Sequence, residues 1–220
     1  DLREPGAFIV VNAAFPILEE DQLPTPPVII GENYCQYPFQ AKSVINISGM
    51  SYGAISAPAV RALSLGAAQA GCWLNTGEGG LSAYHREGNC DIIMQIGTAK
   101  YGVRDAEGNF SLTRTKEIAE FVKAFEIKLS QGAKPGKGGV LLGAKVNPEI
   151  AAIRGIPQYE DSISPNRHYD IRNINELLDK VAYIRELTGK PVGVKTAIGG
   201  WHFMNELCET ILRRGLDYAP

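Results

Sequence analysis

The stretch NTGEGG, Asn75 to Gly80, sets three glycines around a single carboxylate, Glu78, directly after the apolar run GCWL. Glycine lets the main chain approach a ligand closely with its N–H groups exposed, which suits phosphates, flavin edges and carboxylates. Comparable loops recur as GMSYG (49–53), GAKPGKGG (132–139) and AIGGW (197–201). Glycine makes up 24 of 220 residues, against a usual share of ~7%, and the surplus is concentrated in these loops. Any one loop is explained equally well as tight-turn chemistry. Several on one face would instead gather backbone donors at one point. GAKPGKGG is not a phosphate-binding P-loop, because Gly138 follows Lys137 where GxxxxGK[ST] needs Ser or Thr. His85, His168 and His202 share no metal-ligand spacing and read as loop hydrogen-bonders. Cys35, Cys72, Cys90 and Cys208 are scattered without a CxxC pair and read as reduced thiols. No metal site is expected.

The elements that would position these loops follow from periodicity. Short apolar runs alternate with amphipathic stretches from Ser43 onward, the pattern of parallel strands joined by crossover helices. SVINIS, CWLNT, DIIMQIG, AFEIKLS and PVGVKT are the expected strands, and each glycine loop leaves the carboxyl end of one of them. Ser56 is expected to cap a helix closing at Gly71, Asn173 one running from Ile174 to Gly189, and Met204 to Leu212 form a last helix ending in Arg213 and Arg214. A short helix is expected at Glu117 to Lys123. The proline-rich residues 1–42 read as an extended arm, and residues 43–220 as barrel. Trp73 and Trp201 read as packing residues.

Composition bounds the rest. At 45% hydrophobic and 21% charged, with 22 basic against 24 acidic residues, the chain is globular and lacks the positive field that nucleic acid or anionic lipid attracts. No apolar run reaches the ~18 residues of a membrane span, and DLREPG does not read as a signal peptide, so a cytoplasmic protein is expected. The chain starts without methionine and stops soon after Gly215, where a new strand is due, so a fragment is expected.

GMSYGAIS, LNTGEGG, KLSQGAKPGKGG, GAKVNPEIAAIRG, ISPNRHYDI and VGVKT, in this order and spacing, resemble the FMN-binding domain of glutamate synthase over about Val44 to Pro220. The resemblance implies a (β/α)8 TIM-type barrel, represented here by about five βα units. Its mouth would hold FMN, and 2-iminoglutarate, made from 2-oxoglutarate and ammonia, would be reduced there to glutamate. It implies that Met50, Ser51, Thr76, Gln95 and Lys195 meet the flavin, and that Glu78, Lys134 and Arg154 meet the substrate. Lys128 and Gln131 would assist at the same mouth. Two cations suit two carboxylates, and a lysine beside the flavin would offset the negative charge of its reduced form. Taken alone, Lys195 reads more readily as a solvated strand end, and a surface carboxylate is the lesser alternative for Glu78. Glu78 and Lys195 are the expected catalytic pair.

One departure stands out. After GKGG the family pattern carries a glutamine, but this chain has Val140, which offers no side-chain hydrogen bond. An amine donor, as in N-methylglutamate synthase, then fits as well as ammonia. The cysteine cluster of a 3Fe-4S centre and the glutaminase nucleophile find no match here. A complete barrel needs ~250 residues, so three βα units, including the phosphate-gripping loops, are expected elsewhere. The piece is expected to require the rest of its polypeptide, an electron-donor protein or a second copy. The competing readings are a non-catalytic dicarboxylate-binding or assembly module and a flavin-free phosphate-binding barrel.

Overall fold

The computed structural model describes residues 13–23, 26–131, 134, 136–215 and 220. Within the proline-rich arm, β1 (Val28–Ile30) and β2 (Phe39–Ala41) pair as an antiparallel hairpin. Strand alternation turns Phe39 and Ala41 inward, where they are buried with Ile93 and Ala124 beside Ile30 and Trp73.

Helix α1 (Ala57–Ala70) places Pro58 in its first turn, where a missing N–H costs nothing, and closes on Gly71 at φ 66°. There follow β3 (Leu74–Asn75), the single turn α2 (Ala83–Arg86) and β4 (Ile92–Ile96). Helix α3 (Leu112–Ala119) begins earlier than the expected Glu117, because Ser111 caps it by accepting the Arg114 N–H at 3.3 Å. Val122 is buried in the turn that leads into β5 (Ala124–Lys128). Next come β6 (Val140–Leu141), α4 (Pro148–Arg154) and β7 (Ser162–Ile163), with β6 and β7 pairing antiparallel. Asn147 caps α4 and Gly155, at φ 69°, ends it. Asn173 likewise caps α5 (Ile174–Thr188), which stops at Gly189. The described chain finishes with β8 (Val192–Lys195) and α6 (Trp201–Arg214).

The main sheet has the order β3-β4-β5-β8, parallel throughout. Ile47 adds a single parallel bridge to Leu74, so the expected strand SVINIS contributes one pairing residue. Each strand neighbours the next expected strand, with helices outside: this is a stretch of (β/α)8 barrel wall. Period-two alternation gives the wall two faces. Ile92, Met94, Ile96, Phe125, Ile127 and Val192 point outward into one core with Ala119, Leu177, Val181 and Ile184. The inner face carries Gln95, Glu126 and Gly193 in one register, then Lys128 and Lys195 in the next. The hairpin closes the amino end of that face with apolar side chains, while its carboxyl end is polar. Trp73 packs edge-on to Phe39 at 5.9 Å between ring centres, whereas Trp201 does not pack and is 76% exposed.

Candidate functional site

A cavity of about 300 Å³ opens at the carboxyl ends of these strands. It gathers Met50, Ser51, Glu78, Gln95, Lys128, Gln131, Lys134 and Arg154 from the expected set, with Val140 and Ser164 completing its wall. Two expected residues do not line it. Thr76 follows the inward Asn75, so alternation turns it outward, and its hydroxyl donates to the Gly77 carbonyl at 2.9 Å and accepts the Gln95 N–H at 3.0 Å. Lys195 is half-buried on the inner face of β8, in register with Lys128 but one strand further along.

The glycines are required by how closely the two loops meet. A Cβ on Gly77, whose φ is 66°, would stand 2.5 Å from the Ser51 nitrogen. A Cβ on Gly49 would stand 2.6 Å from Asn75 Oδ1. GMSYG and NTGEGG thus interlock through bare backbone. The neighbours of Glu78 are bare for a related reason: a Cβ at Gly97 would fall 2.8 Å from its Cβ, and one at Gly139 would fall 2.2 Å from its Oε1. Glycines from two further loops clear the space that Glu78 occupies.

Glu78 is oriented by Lys128, whose Nζ donates to its Oε2 at 3.1 Å. Arg154, on the last turn of α4, is only 4% exposed. Its guanidinium donates to Ser162 Oγ at 3.2 Å and to the Tyr52 carbonyl at 3.3 Å, and lies 5.0 Å from the Tyr101 ring centre. Ser162 in turn donates to the Tyr101 hydroxyl at 2.7 Å. Burial pulls the Arg154 guanidinium below its ordinary pKa, with Tyr101 and Glu78 pulling the other way. Among the described residues, no carboxylate forms a salt bridge with Arg154 or Lys134. Of the three cations at the cavity, Lys128 is engaged by Glu78, which leaves two for a ligand. Tyr52 also secures α4 at its other end, its hydroxyl donating to Glu149 at 2.6 Å.

The sequence reading did not single out Asn75, Glu126, Tyr52 or Ser162. Glu126 accepts from the side-chain amides of both Asn75 and Gln95 on the barrel floor, at 3.0 and 2.5 Å. Its signal was available in AFEIK, where a charged residue interrupts a strand that should be buried on both faces. Tyr52 and Ser162 carried no comparable signal, because their roles depend on contacts over long sequence separations.

Two of the three histidines are hydrogen-bonders; His202 instead lies on α6, 94% exposed, with Glu206 no nearer than 3.9 Å. His85 is fully buried, and its Nδ1 accepts the Ser82 N–H at 3.1 Å. Burial drives its pKa down to about 4, opposed by the Thr76 carbonyl. His168 is held against the Lys128 carbonyl at 2.9 Å, and burial likewise lowers its pKa. Nearby, burial tends to raise the Asp170 pKa, but Lys180 and Lys100 outweigh it and hold the carboxyl below its usual range. No cluster of His, Cys, Asp and Glu able to hold a metal occurs among the described residues. No described helix is long and apolar enough to cross a membrane.

Known proteins carry similar sequences. A family profile described as "Conserved region in glutamate synthase" matches residues 10–207. A glutamate synthase large subunit-like protein of Bacillus subtilis is 44% identical over 190 residues, covering 85% of this chain and 36% of that protein. An archaeal-type glutamate synthase [NADPH] of a Thermotoga species is 38% identical over 176 residues, covering 79% of this chain and 32% of that protein. The archaeal glutamate synthase [NADPH] of Archaeoglobus fulgidus is 36% identical over 180 residues, 81% of this chain and 33% of its own length. The chain therefore spans about a third of the length of these relatives. Matched along most of its length, with a parallel barrel wall and a cationic mouth, this chain belongs to the glutamate synthase family.

Proposed function

We propose that this chain forms part of the FMN-binding barrel of a glutamate synthase-type oxidoreductase, and that its cavity binds 2-oxoglutarate. One observation carries the reading: a mouth that holds one carboxylate, Glu78, and three cations, Lys128, Lys134 and Arg154. After Lys128 has answered Glu78, the surplus of two positive charges matches a dicarboxylate. Arg154 is pre-positioned by Ser162 and Tyr52, so its planar fork takes one carboxylate with little loss of side-chain freedom. Lys134, exposed on its loop, supplies a point charge to the other carboxylate or to the keto oxygen.

The residues fit a flavin. Met50 and Ser51 border the cavity on a loop that packs without intervening side chains, Gln95 offers an amide, and Lys195 brings a cation to the same inner face. FMN, when bound and reduced, would supply a hydride to the carbon of 2-iminoglutarate. The protein's part is to orient and to balance charge. Glu78, held by Lys128 at the cavity, would offer negative charge to a protonated imine bound there. Lys195 would offset negative charge on a reduced ring held against the same inner face. Reducing equivalents would arrive through the remainder of the polypeptide or an electron-donor protein.

Val140 supports a second reading of the nitrogen donor. It borders the cavity and is 55% exposed, giving an apolar wall that accommodates a methylated amine as readily as ammonia. The full-length protein tests both. Flavin absorbance in the purified protein, and 2-oxoglutarate-dependent oxidation of reduced flavin with ammonia or methylamine, are expected. A folded full-length protein that takes up no FMN overturns the flavin assignment, and tight 2-oxoglutarate binding without flavin would point to a non-catalytic binding module.

A further inference from the structure

Glu126 lies in the middle of β5 on the inner face of the barrel, in register with Gln95 of β4. Its Oε1 receives Asn75 Nδ2 at 3.0 Å and Gln95 Nε2 at 2.5 Å. A carboxylate only accepts hydrogen bonds, whereas a side-chain amide has one donating and one accepting end. Both amides must therefore turn their NH2 groups toward Glu126 and their oxygens away. Asn75 places its oxygen on the Gly77 N–H at 2.9 Å, one residue before Glu78. Gln95 lines the cavity while being only 1% exposed, and no described residue donates to its Oε1.

We propose that Glu126 is a positioning residue: by fixing both amides it makes the cavity floor a hydrogen-bond acceptor reserved for an N–H of the bound ring, and holds the loop that presents Glu78. Gln95 without Glu126 could present either end, since rotating an amide by half a turn exchanges oxygen and nitrogen at almost the same positions. A buried amide aimed the wrong way would face a ligand N–H with its own NH2, leaving two donors unpaired. The carboxylate removes that ambiguity. The identity of the ring rests on the flavin assignment above, while the orientation of the amides does not. In an oxidised flavin the only ring N–H is at N3, which makes that position the matching donor.

The test uses the full-length protein as wild type and as Glu126→Leu, Glu126→Gln and Gln95→Leu. Two quantities are measured: affinity for FMN against N3-methyl-FMN by fluorescence quenching, and hydrogen–deuterium exchange of the segment 75–80 in flavin-free protein. Wild type is expected to prefer FMN by roughly tenfold, the worth of one well-made buried hydrogen bond. Glu126→Leu should reduce that preference to within about twofold and speed exchange at Gly77 by about tenfold as the Asn75 bond loosens. Glu126→Gln keeps an acceptor at the same place but can also present its own NH2, so it should fall between wild type and Glu126→Leu in both. Gln95→Leu should lose the preference without altering exchange at Gly77. The proposal is overturned if Glu126→Leu leaves both quantities unchanged, or if Glu126→Gln behaves like Glu126→Leu, which would assign the effect to charge. A wild type that binds neither flavin overturns the flavin assignment alone, and the exchange measurement then decides on Glu126.

Discussion

Arg154 and Gly139 illustrate two ways in which one residue controls this site. Arg154→Ala removes a buried cation whose charge-assisted bonds are each worth about 1.5–3 kcal/mol, so 2-oxoglutarate affinity should fall by about 10- to 100-fold in calorimetry on the full-length protein. Arg154→Lys should restore little of it, because a lysine cannot reach Ser162 and the Tyr52 carbonyl and still present a fork. Gly139→Ala acts by displacement. Its new methyl would meet only the flexible ends of Glu78 and Gln131, so stability should change by less than about 1 kcal/mol while substrate affinity drops. Gly77→Ala meets the Ser51 backbone at positive φ and should instead destabilise the protein by about 2 kcal/mol or more, measured by urea unfolding. His85 adds a pH dependence. Its folded pKa of about 4 lies below the ~6.5 of an unfolded histidine, so the unfolded chain takes up the proton first as pH falls. This contribution is fully present above pH ~6.5 and is lost progressively toward pH ~4, by about 3 kcal/mol at most, with His168 acting in the same direction. Urea unfolding at pH 7 and pH 4.5 should show the loss, and a His85→Gln variant with an unchanged slope would sink the attribution.

At the scale of elements, helix ends give a graded expectation. Asn173 accepts the Glu176 N–H at 3.0 Å and should cost about 1 kcal/mol of unfolding free energy when replaced by alanine. Ser56 occupies the same position on α1 without a side-chain cap bond, so Ser56→Ala should cost a few tenths at most. Denaturant midpoints would separate the two, and equal losses would show that the caps do not matter as drawn. The boundaries of α1 and α5 were legible because a capping residue, an apolar stripe and a terminal glycine all agree there. The start of α3 was not, because its first turn is polar and the cue lay in Ser111 alone. α4 had a cap, a proline and a glycine in VNPEIAAIRG, yet its helix is too short to show a full apolar period. The hairpin of β1 and β2 was hidden by prolines, and its inward residues acquire meaning only through contact with Ile93 and Ala124. In the site, Glu78, Lys134 and Arg154 were reached through the family resemblance of their motifs, and their gathering at one cavity is what the fold adds. The outward turn of Thr76 follows from the phase of β3 relative to its neighbours, which the sequence does not state.

For the whole molecule, the expected weakness is the side of β8 away from β5. Among the described residues no strand pairs there, and Ile198, Trp201 and Leu212 are 58%, 76% and 71% exposed nearby in sequence. Unpaired strand edges beside apolar surface promote association. The 220-residue chain expressed by itself should therefore form oligomers by light scattering, reduced by Trp201→Glu, whereas the full-length protein should be monodisperse. A stable monomer of the isolated chain would contradict this. Tyr52 has a wider reach. Its hydroxyl holds the first turn of α4 through Glu149, and its carbonyl receives Arg154 from the last. The turn that would carry the ring and the guanidinium that would carry the acid thus share one rigid strut. Linkage is reciprocal, so whatever firms that turn must tighten the grip on the acid, and the acid must tighten the turn by an equal factor. Cofactor and substrate would then bind cooperatively, without any subunit contact.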